Sequence, residues 1–380
     1  MQQHERGELR PAAPATDGFG SYASEEVTFL VKDLSDSLVE VSRAEYEQGI
    51  DQGRHYAEML PEEEFRPTAE ALTLFENALT RSARRLALAV GVTTEKILSG
   101  RDAVPVLVSL CQTGTPIGVL LRRWAAWRHG VALQHYTVSV VRGRGVDENA
   151  LSYVLDRHDA AAIQFVDGWI GKGSIAREVT ATVRRREHRD GAGLSDALAV
   201  LVDPGDCAAI SGTAQDFLVP NACLNATVSG LVSRTVTTPG LVGPDDFDGA
   251  KYYPEMIDSD LSIRFLDAIT QEFPAMRGQV DAHCAEWRPG ARVPTFTGER
   301  HAQWLAAEYG LPDVNLVKAG VSETVRMLVH RIAERVIVHP DAGQDVEDIR
   351  WLAARRSVPV EERSDLRYAC VGLMRPPAAK

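Results

Sequence analysis

Short apolar runs alternate with helical patterns through the middle of the chain. Four such runs, each followed by small residues and a helical stretch, lie at 105–110, 136–141, 161–166 and 198–202. This alternation predicts parallel strands that are buried on both faces and connected by helices. Before them, residues 68–90 have apolar positions at helical spacing, which predicts an amphipathic helix. Ligands of such sheets bind at the carboxyl ends of the strands, so the loops after these runs are the places to look for a site.

The pattern changes again near residue 290, where prolines and a glycine interrupt the chain. Beyond this point, helices near 299–309, from Ser322 and near 345–355, with strands around 336–338 and 368–373, predict a small separate α/β domain. The sequence therefore divides into three parts: a flexible N-terminus over 1–25, a main domain over 26–290 that includes an N-terminal extension, and a C-terminal domain over 295–380.

Composition and charge exclude some functions. Hydrophobic residues make up 44% of the chain and charged residues 25%, as in ordinary globular proteins. The net charge of -12 argues against non-specific binding of nucleic acid or anionic membranes, but not against a local basic site. Five scattered cysteines without a CxxC pair argue against a zinc site or a disulfide framework, and predict a reducing, cytoplasmic location. No apolar stretch is long enough to predict a membrane span.

The third apolar run leads into a glycine loop, residues 166–174, with the sequence Val-Asp-Gly-Trp-Ile-Gly-Lys-Gly-Ser. Glycines let backbone N–H groups approach a phosphate closely, and the start of the following helix adds about half a positive charge. Lys172 would add a cation and Ser174 a hydroxyl, while Asp167 would accept hydrogen bonds from ribose hydroxyls. The alternative is a tight strand-to-helix turn in another α/β fold.

This loop resembles the phosphoribosyl-diphosphate motif of type I phosphoribosyltransferases, with Val166 where the first acid of the usual pair stands. Residues 109–118 resemble the pyrophosphate loop of the same enzymes, with Gln112 in place of the usual arginine. Arg142 and Arg144, after the next strand, would compensate by binding phosphate oxygens, or else belong to a solvated hairpin turn.

The resemblance implies a type I phosphoribosyltransferase-like parallel sheet with helices on both faces. It implies that the protein binds phosphoribosyl diphosphate with Mg²⁺, and a nucleobase-like acceptor, with no membrane partner. The implied catalytic residues are Asp167, Arg142 and Arg144. The residues implied in ligand binding are Gly168, Gly171, Lys172, Gly173 and Ser174 for the sugar phosphate, and Thr113, Gly114 and Thr115 for the diphosphate.

Almost the whole chain is similar to the phosphoribosyltransferase-like proteins of bacterial tellurite-resistance stress operons, a family also named cysteine protease StiP. Residues 19–22, 55–61 and 223–235 carry this likeness together with the glycine loop. It implies a transferase that makes a ribonucleoside-like metabolite under stress. Two alternatives stay open: a non-catalytic protein that binds nucleotide or RNA, and a cysteine protease. The protease would use Cys223, with His55, His129, His135 or His158 as its base, although most free cysteines are inert core residues.

Residues 317–326 resemble the Gly-x-Asn-Glu-x-x-Lys/Arg signature of Pelota-type RNA-binding domains, with Ser322 where asparagine is usual. This resemblance implies an RNA-binding module over 295–380. The alternative is an ordinary helix that Ser322 caps. The acidic residues of 345–348 would offer RNA no electrostatic attraction.

Overall fold

The computed structural model describes residues 13–15, 18–62, 66–101, 103–290, 292–331 and 333–375. Much of the N-terminal segment predicted to be flexible, including residues 1–12, lies outside the described residues.

The strands are β1 (Thr28–Leu30), β2 (Lys32–Asp33), β3 (Val106–Leu110), β4 (Gln134–Val138), β5 (Val140–Val141), β6 (Gly145–Val146), β7 (Ile163–Trp169), β8 (Ala199–Val202), β9 (Ile210–Thr213), β10 (Gly249–Ala250), β11 (Val317–Ala319), β12 (Ala333–Val338), β13 (Val360–Glu362) and β14 (Cys370–Met374). The α-helices are α1 (Arg43–Asp51), α2 (Ala69–Leu98), α3 (Gly114–His129), α4 (Glu148–Leu155), α5 (Ser174–Asp190), α6 (Ser262–Thr270), α7 (Phe273–Cys284), α8 (Thr297–Glu308), α9 (Val321–His330) and α10 (Glu347–Arg355).

A six-stranded sheet in the order β1-β4-β3-β7-β8-β9 forms the centre of the main domain, and every neighbouring pair is parallel. Alternate side chains of its strands enter two hydrophobic clusters, one on each face. Leu107 and Leu201 pack with α2, α3 and α7 on one face, whereas Val108 and Val200 pack with α4 and α5 on the other. The prediction of a parallel sheet covered by helices on both faces is confirmed.

Helix starts in the main domain follow local sequence signals. Thr68 caps α2, where its side chain accepts a hydrogen bond from the Ala71 amide. Asp147 caps α4 through bonds from the amides of Asn149 and Ala150, as its position before an apolar helical pattern predicts. Helix α2 continues to Leu98, eight residues past the predicted end, and the added turns are buried too, as at Val92 and Ile97.

The C-terminal part contains a four-stranded mixed sheet in the order β11-β14-β12-β13, which confirms the predicted small α/β domain. Helix α8 packs on one face of this sheet, with Leu305 against Ile337 and Val371. Val325 of α9 and Ile349 of α10 instead join the large cluster that also contains the core of the main domain. The two domains thus share a continuous core, while the exact domain boundaries stay a prediction.

Buried and partly buried polar contacts fix the C-terminal domain against the main domain. The Asp216 carboxylate, in the loop after β9, accepts hydrogen bonds from the amides of Val321 at 2.9 Å and Ala369 at 3.0 Å. The Tyr368 hydroxyl donates to the Gly171 carbonyl at 2.8 Å. Ser322 does not cap α9, because its Oγ accepts a bond from the Val219 amide of the main domain. Ser322, within the Pelota-like signature, therefore serves the contact between the domains.

Among the described residues, no helix is both long enough and apolar enough to cross a membrane.

Replacing Asp216 by Asn tests the contact between the domains. Burial raises the pKa of Asp216 to about 7, against the lowering by its two amide donors. The folded chain therefore keeps a proton that the unfolded chain releases above about pH 4, so the stability from this group falls as the pH rises through 7. Because Asn does not titrate, the stability advantage of the native protein over Asp216→Asn should shrink by about 1–3 kcal/mol between pH 5 and pH 8.

Urea unfolding at the two pH values measures this change, and Asp36→Asn, at an exposed position, is the matched control. A difference that stays constant or grows with pH would contradict the assignment.

Candidate functional site

The glycine loop lies where the main sheet meets the C-terminal domain. Strand β7 runs on through Asp167 to Trp169, further than the apolar run predicts, because both residues pair with β8. Gly173, with φ of 84°, then turns the chain into α5. A Cβ atom on Gly171 would collide with the backbone of Ala319 in β11. Gly171 therefore permits a close approach of the two domains.

Asp167 is 6% exposed and ties the end of β7 to the start of α3. Its Oδ1 accepts hydrogen bonds from the Thr113 hydroxyl at 2.9 Å and from the Gly168 amide at 2.7 Å. Burial raises its pKa to about 6. Gly114 lies beside Asp167, and a side chain at this position would collide with the Val166 carbonyl. The Thr115 hydroxyl forms a hydrogen bond with the Thr137 hydroxyl. These polar groups have protein partners within the fold.

Arg142 and Arg144 lie on a hairpin formed by β5 and β6, which agrees with the hairpin alternative. Arg144 pairs with Glu58 at 2.7 Å and also donates to Thr237. The Arg142 guanidinium lies 5.1 Å from the centre of the Tyr56 ring and reaches the cavity between the domains.

This first cavity, here called the cationic cavity, has a volume of about 330 Å³ and lies between the glycine loop and the start of the C-terminal domain. Gly171, Gly173 and Ser174 are on its wall, and Asp167 is not. Among its described lining residues the only carboxylate is Glu323. The Arg and Lys side chains that line it are Arg142, Lys172, Arg234, Lys318, Arg326 and Arg331.

Positive charge dominates the chemistry of the cationic cavity. Burial together with nearby Lys318 lowers the pKa of Lys172 to about 7. The Lys172 ammonium donates to the carbonyls of Val314 and Val317 at 2.8 and 3.0 Å, so it too holds the domains together. Burial opposes ionisation of Glu323, yet Lys318 and Arg326 keep its pKa below its usual range. Glu323 also accepts a hydrogen bond from the Trp169 indole at 3.1 Å.

A second cavity of about 190 Å³, here called the thiol cavity, lies beside the first. Cys223, in a short 3₁₀ helix over Pro220–Cys223, and His330, at the end of α9, both line it. Cys223 has no exposed surface, and burial raises the pKa of its thiol far above the usual range. His330 lines both cavities.

His330 is the residue that sequence reasoning missed. Its Nε2 atom is buried and has no hydrogen-bond partner in the described part of the chain. Burial, followed by the charges of Arg326, Arg331 and Arg356, lowers its pKa to about 3. No local sequence signal links this histidine to Cys223, because only the contact between α9 and the Cys223 segment brings them to one cavity.

The four histidines proposed as bases lie elsewhere. Each has another partner, and none lines the thiol cavity. His55 contacts the Arg142 carbonyl, His129 pairs with Glu95, His135 bonds to Ser109 and His158 to Tyr136.

The fold and these cavities define a class: a parallel α/β domain joined to a small mixed-sheet domain, with a buried thiol and a cationic cavity at their junction. Residues 20–270 match the family model described as tellurite-like stress resistance cysteine protease StiP, and residues 296–376 match the PELOTA RNA binding domain. A relative named cysteine protease StiP, from Acinetobacter baylyi, is 32% identical over 355 residues that cover 91% of each chain. The chain belongs to the StiP family.

This membership corrects the expected activity. The interpretation as a phosphoribosyltransferase that uses phosphoribosyl diphosphate is wrong, because the family and the relative are both named for a cysteine protease. The geometry is consistent with the correction: Asp167 faces Thr113 and Gly168, Arg144 pairs with Glu58, and Lys172 bonds to two carbonyls.

Mg²⁺ was expected only as the partner of the diphosphate, so the correction of the activity removes the reason to expect this ion. No group of three or more His, Cys, Asp or Glu side chains that could hold a metal ion occurs among the described residues. Whether Gly168, Gly171, Gly173, Ser174 and the residues of 113–115 contact a ligand stays a prediction.

Replacing Glu323 by Gln tests the charge balance of the cationic cavity. Gln keeps an oxygen for the Trp169 indole but leaves the surrounding cations without their carboxylate, so the free energy of unfolding should fall by about 1–3 kcal/mol at low salt. Added salt screens the repulsion and should recover part of that loss.

Thermal denaturation in low and high sodium chloride measures both effects. Glu286→Gln, at an exposed site, is the control, and a loss independent of salt would show that charge is not the cause.

Proposed function

We propose that this protein is a cysteine protease in which Cys223 is the nucleophile and His330 is its base. The observation that carries the proposal is that these two side chains line one cavity at the domain junction. The unpartnered Nε2 of His330 supports it, since a general base needs a free ring nitrogen. The name of the family and of the relative supports the same activity.

The directions of the two pKa shifts define how the pair would act. Burial keeps the Cys223 thiol protonated and the His330 imidazole neutral, so a thiolate–imidazolium pair is not the resting state. His330 would take the thiol proton as sulfur attacks the peptide carbonyl, and would then give it to the departing amine. Water, deprotonated by the same ring, would hydrolyse the thioester and release the acid and the free thiol.

This mechanism requires that a peptide reach the Cys223 thiol. The Cys223 thiol is fully buried, and its segment packs against both α2 of the main domain and α9 of the C-terminal domain. We expect a peptide to reach the sulfur when α9, which belongs to the other domain, moves away from the 3₁₀ helix. Reaction of Cys223 with a small electrophile should therefore be slow in the resting protein, and should become faster when the contact between the domains is weakened.

Substitution of the pair tests the protease directly. Cys223→Ser and His330→Gln should each lower the rate of peptide hydrolysis by more than about a hundredfold, because the nucleophile and its base act as a unit. Release of peptides from an unfolded protein substrate, followed by mass spectrometry, measures the rate.

Cys284→Ser is the matched control, since Cys284 is a partly buried cysteine at the end of α7, away from both cavities. Full activity of Cys223→Ser would exclude Cys223 as the nucleophile, and full activity of His330→Gln would exclude this base.

A second function, RNA binding by the C-terminal domain, is also proposed. The match of residues 296–376 to the PELOTA RNA binding domain supports it. So does the geometry, since Lys318 and Arg326, within the signature-like segment, line the cationic cavity. Phosphate contacts make such binding depend on salt, so the affinity for a single-stranded oligoribonucleotide should fall steeply between 50 and 200 mM salt, by about tenfold or more. Fluorescence anisotropy measures it, and an absence of binding at low salt would refute it.

We further propose a cytoplasmic location, which the five free cysteines support.

A further inference from the structure

The two domains build the cationic cavity together. Arg142, Lys172 and Arg234 come from the main domain, while Lys318 and Arg326 come from the C-terminal domain. A site divided in this way exists only in the full chain. Its positive charge also contrasts with that of the chain as a whole, whose net charge is -12.

The cations of this cavity outnumber the acids that could neutralise them. Burial and the like charges of Arg142 and Arg331 lower the pKa of Lys318, against the opposing charges of Glu323, on the cavity wall, and Asp313, which is not a lining residue. The Nε atom of Arg234 is buried and has no hydrogen-bond partner among the described residues. A bound anion would relieve the repulsion and accept hydrogen bonds from these groups.

The size and remaining lining of the cavity suggest the kind of anion. A volume of about 330 Å³ is within the range of small-ligand sites and leaves space beyond a phosphate group. The indole of Trp169 and the side chain of Met327 line it beside the cations. Aromatic and apolar surfaces next to cations suit a nucleobase attached to a sugar phosphate.

We propose that the cationic cavity binds one phosphate-bearing nucleotide unit, either a free nucleoside monophosphate or the terminal nucleotide of an RNA strand. Arg142 of the main domain and Arg326 of the C-terminal domain contact the phosphate. In its RNA form this inference deepens the RNA-binding proposal, and it does not require that Cys223 be a nucleophile.

Calorimetric titration of the full chain tests the site. The probes are adenosine monophosphate, inorganic phosphate and a 5′-phosphorylated single-stranded oligoribonucleotide. We expect saturable binding of the nucleotide or the oligonucleotide, stronger than that of phosphate alone. Arg142→Gln and Arg326→Gln should each weaken it by about tenfold or more, as expected for the loss of one charge-assisted contact.

Arg350→Gln is the matched control, since it removes a surface cation of α10 that pairs with Glu362 outside the cavity. Melting temperatures of the two cavity variants that are equal to or higher than that of the native protein would show that they are folded.

The outcomes separate this inference from the RNA proposal. Binding of the oligonucleotide that neither cavity variant weakens would overturn the cavity and leave RNA binding intact. Binding of adenosine monophosphate that both variants weaken, without binding of the oligonucleotide, would support the cavity and refute RNA binding. Binding of neither nucleotide probe, or equal binding of inorganic phosphate and nucleotide, would overturn the nucleotide site.

Discussion

The contact that positions the C-terminal domain brings two of its backbone amides to one carboxyl group of the main domain, that of Asp216. Asp216 accepts hydrogen bonds from the amide of Val321, the first residue of α9, and from the amide of Ala369, just before β14. The helix and the sheet leave these two donors unpaired. An acceptor at the start of a helix satisfies orphan donors and interacts favourably with the helix dipole. Because both cavities lie between α9 and the main domain, their shape depends on this contact. The energetic importance of Asp216 comes from the cost of leaving buried amides unpaired.

The glycine loop has a sequence that predicts phosphate binding, yet in the structure it lies in the contact between the two domains. Small residues let a backbone approach any close neighbour, whether a phosphate or a second domain. Here Gly171 lies against Ala319, and the Lys172 ammonium bonds to carbonyls of the C-terminal domain. Residue types suited to binding an anion therefore also join the two halves of the molecule. The same pattern would fit both purposes, so the sequence did not distinguish them.

Periodic patterns predicted the fold well, because burial acts locally on each strand and helix. The apolar runs before Cys111 and Asp167 are central strands, and Asp147 caps its helix as expected. The site was harder to predict, because it depends on contacts between segments far apart in sequence. His330 reaches the thiol cavity only through the packing of α9, and Ser322 bonds to Val219 of the main domain instead of capping its own helix. No local spacing encodes either contact.

His330 lines both the cationic cavity and the thiol cavity. Burial, and after it the nearby guanidinium groups of Arg326, Arg331 and Arg356, lower the pKa of this ring. An anion bound in the cationic cavity must raise the pKa of the His330 ring. A proton on the ring must in turn raise the affinity of the cavity for the anion, because such linkage is reciprocal. Proton uptake by His330 and anion binding in the cationic cavity are therefore thermodynamically coupled, so that each favours the other.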